Sequence, residues 1–152
     1  MSTLEEHVDV EVSIDEAWDS LHRMERYPRF VDGIRDARTE DDGRAHLDVS
    51  AGGRDRELEA EVSDRLMGRV KDHVEERVME WRTTAAPELS GSFSLQPIDE
   101  DHTRVQIRVE YDPDTVRESF GGPKGFAQAS AIERLVRSDL EHFKEHVEQE
   151  RR

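Results

Sequence analysis

A long amphipathic stretch near the C-terminus, residues 125–149, constrains the fold more than any other part of the sequence. Its apolar residues recur at intervals of three or four, which places them on one stripe of a helix: Phe126, Ala129, Ile132, Val136, Leu140, Phe143 and Val147. Most of the remaining positions are charged, so the opposite face is solvated. Such a helix is roughly 37 Å long at about 1.5 Å per residue. It therefore needs an apolar surface of similar length, which the rest of the chain must supply.

The sequence before this helix is dominated by an apolar–polar alternation with a period of two, which is typical of half-buried strands. Turn residues separate the alternating segments. The pattern predicts seven strands, at residues 7–12, 34–39, 45–51, 56–62, 78–83, 91–96 and 103–111. Each strand has one dry and one wet side, as expected of an antiparallel sheet that is covered on one face. The long helix is the natural cover.

Two helical segments are predicted between the first and second strands. Ser13 and Glu16 form a capping-box pattern, so a helix is expected to run from Ile14 to about Met24. Residues 27–31 are then a short turn or a second small helix. Residues 64–77 fit a helix as well as a strand, because apolar residues fall at every fourth position there. We expect strand ends with an irregular or helical insertion between them.

The composition excludes several classes of function. A chain of 152 residues has the size of one domain, so residues 1–152 are interpreted as a single domain with one core. Charged residues make up 39% of the chain, and the net charge is −15. A surface this negative repels phosphate backbones and anionic lipid headgroups, which argues against nucleic-acid binding and against membrane-surface binding.

The absence of cysteine excludes disulfides, thiolate metal sites and a thiol nucleophile. No apolar run approaches the ~20 residues that cross a bilayer, and the first residues lack the plan of a secretion signal. We therefore expect a soluble cytoplasmic protein without integral membrane association. We also expect it to be a monomer or homodimer and to need no cofactor.

Several segments carry a family resemblance through their order and spacing: residues 10–18, 27–33, 56–62, 79–82, 103–105 with 111–113, and 139–144. The chain resembles the START-like (SRPBCC) superfamily, and more narrowly its polyketide cyclase/dehydrase branch and the neighbouring coenzyme Q-binding proteins. The resemblance implies an α+β helix-grip fold. In that fold a curved antiparallel sheet of about seven strands wraps around a long C-terminal helix, and two short helices follow the first strand.

The resemblance also implies a hydrophobic cavity between the sheet and the C-terminal helix. Its ligand would be a small hydrophobic molecule such as a polyketide, a lipid or a quinone-like compound. The expected ligand-binding residues are Phe30, Arg56, Leu58, Ala60, Trp81, Phe93, Ile107, Tyr111, Phe126 and Ser130. Two alternatives remain at this point. One is a catalytically active polyketide aromatase/cyclase, and the other is a protein-interaction module without a ligand.

Strand alternation decides how the candidate polar residues are interpreted. Aromatase/cyclases of the superfamily hold enolate oxygens with arginines inside the cavity. Arg65 and Arg82 lie in similar strings, yet alternation turns both side chains outward, so we interpret them as solvated and assign no catalytic residue. The same alternation predicts that the Asp64 side chain lies on the inner face of the sheet. Arg56 and Thr103 share the inner face at strand ends, where they would orient a polar ligand head.

The histidines give no clear acid–base pair. His142 and His146 are four residues apart on the long helix, a spacing that can hold zinc. Neither lies on the apolar stripe and no third ligand is evident, so we interpret both as solvated and expect no metal site. His7 and His46 are expected on outward strand faces.

Overall fold

The computed structural model describes residues 2–31, 33–40, 43–51, 54–67, 76–85, 88–112, 114 and 129–150. The order of elements matches the sequence prediction: β1 (Ser2–Val10), α1 (Ile14–His22), a 3₁₀ helix (Met24–Arg29), β2 (Ile34–Thr39), β3 (Arg44–Ala51), β4 (Arg54–Met67), β5 (Glu76–Thr83), β6 (Leu89–Asp99), β7 (His102–Tyr111) and α2 (Ala129–Glu150).

The strands form one antiparallel seven-stranded sheet in the spatial order β1-β7-β6-β5-β4-β3-β2. Neighbours along the chain pair from β2 to β7, whereas β1 pairs with β7, from Ser2 opposite Tyr111 to Val10 opposite Thr103. The chain between β1 and β2 must therefore cross the whole width of the sheet. The two helical segments make this crossing, and α1 contacts β6, β7 and α2 on the way. The expected helix-grip architecture is confirmed.

The start of α1 follows the capping-box prediction. The Ser13 hydroxyl oxygen accepts a hydrogen bond from the Glu16 backbone N–H at 3.2 Å, and the same hydroxyl donates to the Glu16 carboxylate at 3.1 Å. The helix ends at His22, earlier than predicted, because the Arg23 N–H bonds to the Ser20 carbonyl, three residues back. The chain then continues as the 3₁₀ helix, which contains Pro28.

Strand lengths depart from the prediction in several places. β1 begins at Ser2 instead of His7, and β4 continues to Met67. A spacing of four satisfies the period of a strand as well as that of a helix, which is why residues 64–67 were ambiguous. Their description as strand ends is confirmed, together with the start of β5 at Glu76. The predicted insertion, residues 68–75, lies outside the described residues, as does the predicted first turn of the long helix, residues 125–128.

The long helix α2 covers the inner face of the sheet from the β1 side. Arg137 pairs with Glu6 at 3.0 Å, and the Lys144 ammonium donates to the Asp9 carbonyl oxygen at 3.0 Å. The C-terminal half of α2 buries its apolar stripe against the first two helical segments and the sheet, through Leu140, Phe143 and Val147. The helix is therefore held at one sheet edge and at its C-terminal end.

Candidate functional site

A cavity of about 370 Å³ lies between the inner face of the sheet, the N-terminal helical segments and α2. This volume falls in the range of about 300–1,000 Å³ that is typical of small-molecule sites. Six strands and every helical segment contribute to its described wall: Leu21, Met24, Tyr27, Phe30, Val31, Ile34, Ala45, Leu47, Val49, Leu58, Ala60, Val62, Met79, Trp81, Thr83, Leu89, Phe93, Ile107, Val109, Tyr111, Val136, Asp139, Leu140 and Phe143.

The alternation of the strands accounts for the apolar wall. In β4 the inward residues are Leu58, Ala60 and Val62, while the glutamates between them face outward. Ala60 lies directly opposite Ala45 of β3 in the register. Two small side chains therefore meet on neighbouring strands, which deepens the concave face beneath α2. The cavity floor is thus a consequence of residue size as well as of sheet curvature.

The cavity wall contains few polar groups. Among the described residues that line it there is no lysine, arginine or histidine, and the one carboxylate is that of Asp139 on α2. Two hydroxyl groups are already engaged with the backbone. Thr83 exchanges hydrogen bonds with the backbone of Leu89, at 3.0 and 3.2 Å. The Tyr27 hydroxyl donates to the Leu21 carbonyl, and burial raises the pKa of this phenol.

Trp81 of β5 lines the cavity with its indole ring, yet the described part of the chain offers no partner to its polar atom. The Nε1 atom is buried and has no hydrogen-bond acceptor within reach among the described residues. The ring lies against Gly91, its neighbour in the β5–β6 register. A Cβ atom at Gly91 would stand only 2.8 Å from Trp81 Cζ2 and 2.3 Å from the carbonyl oxygen of Arg108. The sheet side of the ring is therefore closely packed, and glycine is needed there.

The structure brings seven of the ten predicted ligand-binding residues together on the cavity wall: Phe30, Leu58, Ala60, Trp81, Phe93, Ile107 and Tyr111. Arg56 lies opposite Val49 at the end of β4 but is exposed and is not part of the wall. Ser130 lies in the first turn of α2. Phe126 lies outside the described residues. Whether these residues bind a ligand stays a prediction.

Asp139 is a cavity residue that the sequence prediction missed. A signal was present, because Asp139 stands three residues after Val136 and four before Phe143, both of which line the cavity. Charged residues on α2 were assigned to the solvated face as a group. The position of this carboxylate could have been predicted from helical spacing alone.

The structure also corrects the expected position of Thr103. Its side chain is fully buried, and its hydroxyl donates to the Val12 carbonyl oxygen at 2.9 Å. The residue is not among those that line the cavity. It therefore ties the end of β1 to β7, and the expected position at the cavity mouth is wrong.

The candidate arginines lie on the outer face, as strand alternation predicted. Arg65 pairs with Glu80 of the neighbouring strand, and Arg82 pairs with Glu61 at 3.0 Å. These cross-strand ion pairs stabilise an exposed surface only slightly. A shift of one residue in strand register would be needed to turn either guanidinium toward the cavity.

Asp64 has the inward parity that was predicted, but it lies beyond the cavity wall. Its carboxylate pairs with His22 Nε2 at 2.8 Å, and His22 Nδ1 lies 2.8 Å from the Trp18 carbonyl oxygen. Both ring nitrogens of His22 are therefore within hydrogen-bond distance of an oxygen atom. This contact connects the end of α1 to β4.

The description of His146 as solvated is wrong. Its side chain is only 13% exposed, and its ring packs against Phe30 with centroids 5.0 Å apart. Burial lowers the pKa of this imidazole, and nearby Arg26 and Arg29 act in the same direction, against Glu150, which raises the pKa. His142 is half-buried.

His46 faces outward as predicted, yet its neighbours bury it to 9% exposure. Two sets of side chains around it place ligand-type atoms within 4.8 Å of one another: Glu40, His46 and Glu59, and His46, Asp48 and Glu57. His46 Nε2 lies 3.2 Å from Asp48 Oδ1. This cluster is on the convex face of the sheet, and a metal ion held there would have no contact with the cavity.

The partly open apolar cavity and the fold around it define a START-like protein, and the comparison with a family model agrees. Residues 10–138 match the model described as polyketide cyclase / dehydrase and lipid transport. The protein belongs to this family. In the described part of the chain, no helix is long and apolar enough to cross a membrane.

Similar proteins support the same assignment of fold. A curated relative is the uncharacterized 17.2 kDa protein in the melC2-rnhH intergenic region of Streptomyces lincolnensis. It is 29% identical over 150 residues, which cover 98% of this chain and 91% of the relative. The resemblance extends over almost the whole of both chains.

Solved structures resemble the chain in fold at low sequence identity. The Zhui aromatase/cyclase from Streptomyces sp. R1128 has a TM-score of 0.69 at 17% identity, covering 99% of this chain and 96% of its own. A STAR-related lipid transfer protein from Xanthomonas axonopodis has a TM-score of 0.73 at 13% identity, covering 95% and 85%. These similarities establish the fold and leave the ligand open.

Proposed function

We propose that this protein binds a small hydrophobic molecule, such as a polyketide, a lipid or a quinone-like compound, in the cavity beneath α2. One observation carries the proposal: a cavity of about 370 Å³ whose described wall is almost entirely aliphatic and aromatic. Filling such a cavity with an apolar ligand removes both the ligand surface and the wall from water, which is favourable in proportion to the area buried. The family description and the lipid transfer and aromatase/cyclase relatives support the same class of ligand.

We also infer that residues 1–152 act as one START-like domain. The N-terminal strand β1 pairs with β7 along its full length, and α2 packs against β1. The first and last elements are therefore interdependent parts of the wall and its support. Neither half of the chain would enclose the cavity by itself.

Native mass spectrometry of freshly purified protein tests the proposal directly. We expect a retained apolar mass that is released on denaturation. A library of apolar compounds should then raise the melting temperature of ligand-free protein. A ligand at a hundred times its Kd stabilises by about 2.7 kcal/mol, which corresponds to a shift of roughly 5–11 °C for a domain of this size.

A cavity-filling variant locates the site. Ala60→Leu adds bulk to the cavity floor, so it should abolish the ligand-induced shift while the protein stays folded. Leu135→Ala is the control, because Leu135 is a large apolar residue of α2 that is 48% exposed and outside the wall. Equal loss of binding in both variants, or no shift with any compound in the wild type, would contradict the proposal.

A second candidate function is catalysis on a carbonyl-containing chain, which Asp139 favours. It is the one carboxylate on the described cavity wall, and a carboxyl group that faces a cavity can transfer a proton to or from a bound carbonyl compound. Asp139→Asn should then abolish turnover of such a substrate while leaving its binding intact. If the variant binds and converts the substrate like the wild type, Asp139 has no chemical role.

The interaction-module alternative has less support. A docking surface without a ligand usually presents a contiguous apolar patch. Among the described residues the exposed large hydrophobic side chains are Ile98, in β6, and Leu135, on α2. They belong to different elements, and neither of them lies on the cavity wall.

A further inference from the structure

The polar content of the cavity wall restricts the charge of any ligand. No cationic side chain lines the cavity among the described residues, and Asp139 places a carboxylate there. An anion that enters loses its hydration and finds no positive partner on the described wall, which costs several kcal/mol. Fatty-acid and phosphate headgroups are therefore poorly suited to the interior. A neutral ligand avoids this cost.

The second observation is the unpartnered N–H of Trp81. An indole nitrogen is a donor only, and leaving a buried donor unpaired costs about 1–3 kcal/mol. Trp81 Nε1 is buried at the cavity wall without an acceptor among the described residues. A ligand that offers a neutral oxygen acceptor at this point would recover that loss. A plain hydrocarbon would not.

The packing around the ring determines from which side an acceptor arrives. On the sheet side the ring is in close contact with Gly91, where a Cβ would stand 3.0 Å from Cε2, the atom bonded to Nε1. The free volume is on the other side, in the cavity. Any tilt of the ring that exposes the N–H is therefore directed toward the cavity and its ligand.

We propose that Trp81 selects the ligand, and that the cavity takes neutral, largely apolar molecules with a carbonyl-type acceptor in preference to hydrocarbons and to anions. This inference rests on the proposed function, since it specifies which apolar molecule the same cavity accepts. Trp81 acts here as a binding residue, and no chemical step is assigned to it.

Three probes of similar size separate these classes: 2-acetylnaphthalene as the neutral carbonyl compound, 2-ethylnaphthalene as the hydrocarbon and 2-naphthoate as the anion. Dissociation constants are measured for the wild type and for Trp81→Phe, which keeps an aromatic ring but removes the N–H. A net hydrogen bond changes affinity by about threefold to tenfold. We expect the preference for the acetyl over the ethyl probe to fall by that factor in Trp81→Phe. The wild type should bind 2-naphthoate at least about tenfold more weakly than the acetyl probe.

Nuclear magnetic resonance gives a readout that packing alone would not change. The chain has two tryptophans, so ¹⁵N-labelled protein has two indole N–H signals, which Trp81→Phe and Trp18→Phe assign. Trp18 is not part of the cavity wall and serves as the matched control. Saturation with 2-acetylnaphthalene should move the Trp81 signal downfield, as a hydrogen bond does, and the ethyl probe should not.

The outcomes separate the two proposals. If the ethyl probe binds and Trp81→Phe leaves the acetyl preference unchanged, Trp81 does not select the ligand, while binding of apolar molecules stands. Equal affinity for the naphthoate also overturns the inference. If none of the three probes binds, the inference is overturned, and the search for a retained mass decides the fate of the proposed function separately.

Discussion

Gly91→Ala should be the most informative single substitution, because the added methyl group meets two different kinds of neighbour. Its Cβ would lie 2.3 Å from the Arg108 carbonyl oxygen and 2.8 Å from Trp81 Cζ2. Non-bonded heavy atoms reach their optimal contact at about 3.5–4.0 Å. The ring can swing aside, but the carbonyl belongs to the backbone of β7. Strands β6 and β7 must therefore separate locally by roughly 1 Å.

The expected loss of stability combines two opposing terms. Overpacking of this kind costs about 1–3 kcal/mol, while replacing glycine by alanine stiffens the unfolded chain and returns about 0.4–1 kcal/mol. We expect a net loss of roughly 1–2 kcal/mol, or a melting temperature lower by about 2–8 °C. Gly33→Ala is the control, since a Cβ there would lie 3.6 Å from the Ser50 carbonyl oxygen, an ordinary contact. It should be neutral or slightly stabilising.

Urea denaturation followed by circular dichroism measures both variants, and a double variant separates the two contacts. Gly91→Ala with Trp81→Phe removes much of the ring contact but leaves the contact with the Arg108 carbonyl. Because the backbone contact is the closer one, the second substitution should recover only a minor part of the loss. A Gly91→Ala protein within about 0.5 kcal/mol of the wild type would refute the reasoning, since that is the range of an unremarkable surface substitution.

The remaining predictions concern the frame around the cavity. Thr103→Val should destabilise by about 1–3 kcal/mol in urea denaturation, because the buried Val12 carbonyl loses its donor; Thr103→Ser should retain most of the stability. Burial lowers the pKa of His146 below the ordinary 6.5 in the folded protein. On acidification, this histidine therefore takes up its proton more readily in the unfolded chain, which destabilises the folded state. His146→Gln should therefore gain stability relative to the wild type between pH 8 and pH 5. Asp99 raises the pKa of His102, so His102→Gln should lose stability relative to the wild type between pH 8 and pH 5. The same pH dependence of the free energy of unfolding in both histidine variants would contradict these two pKa shifts.

The strand pattern could be predicted where alternation was strict. β7 differs from the prediction by one residue, since each of its apolar residues is followed by a polar one. β2 also has the predicted ends, although a register shift between Ile34 and Asp36 interrupts its alternation. β1 was cut short because Glu6, on the inner face, interrupts the apolar pattern of its first half. That glutamate is accommodated by Arg137 of α2, 131 residues away. No local pattern contains such a partner.

The sequence predicted which strand residues face the cavity, but not where the cavity ends. Parity placed Leu58, Ala60 and Trp81 on the correct face, because alternation determines the face of each strand residue. It did not determine how far along a strand the cavity extends, which is why Arg56 was assigned to it. His146 was missed for a different reason. Its burial depends on Phe30, which the 3₁₀ helix brings across the sheet from the other end of the chain.

The same contacts explain why the centre of the molecule is hollow. The helix α2 is supported at the β1 edge by Arg137 and Lys144, and near its C-terminal end by Phe143, whose ring lies 5.3 Å from that of Phe30. Between these supports two neighbouring strands present the small side chains of Ala60 and Ala45, which leaves room beneath the helix. Leu140 and Phe143 both line the cavity and belong to the buried core, so part of the wall also holds α2 in place. Substitutions at the small residues of the cavity floor can change which ligand fits while the supports of α2 stay in place, which is the arrangement expected if closely similar folds serve proteins with different ligands.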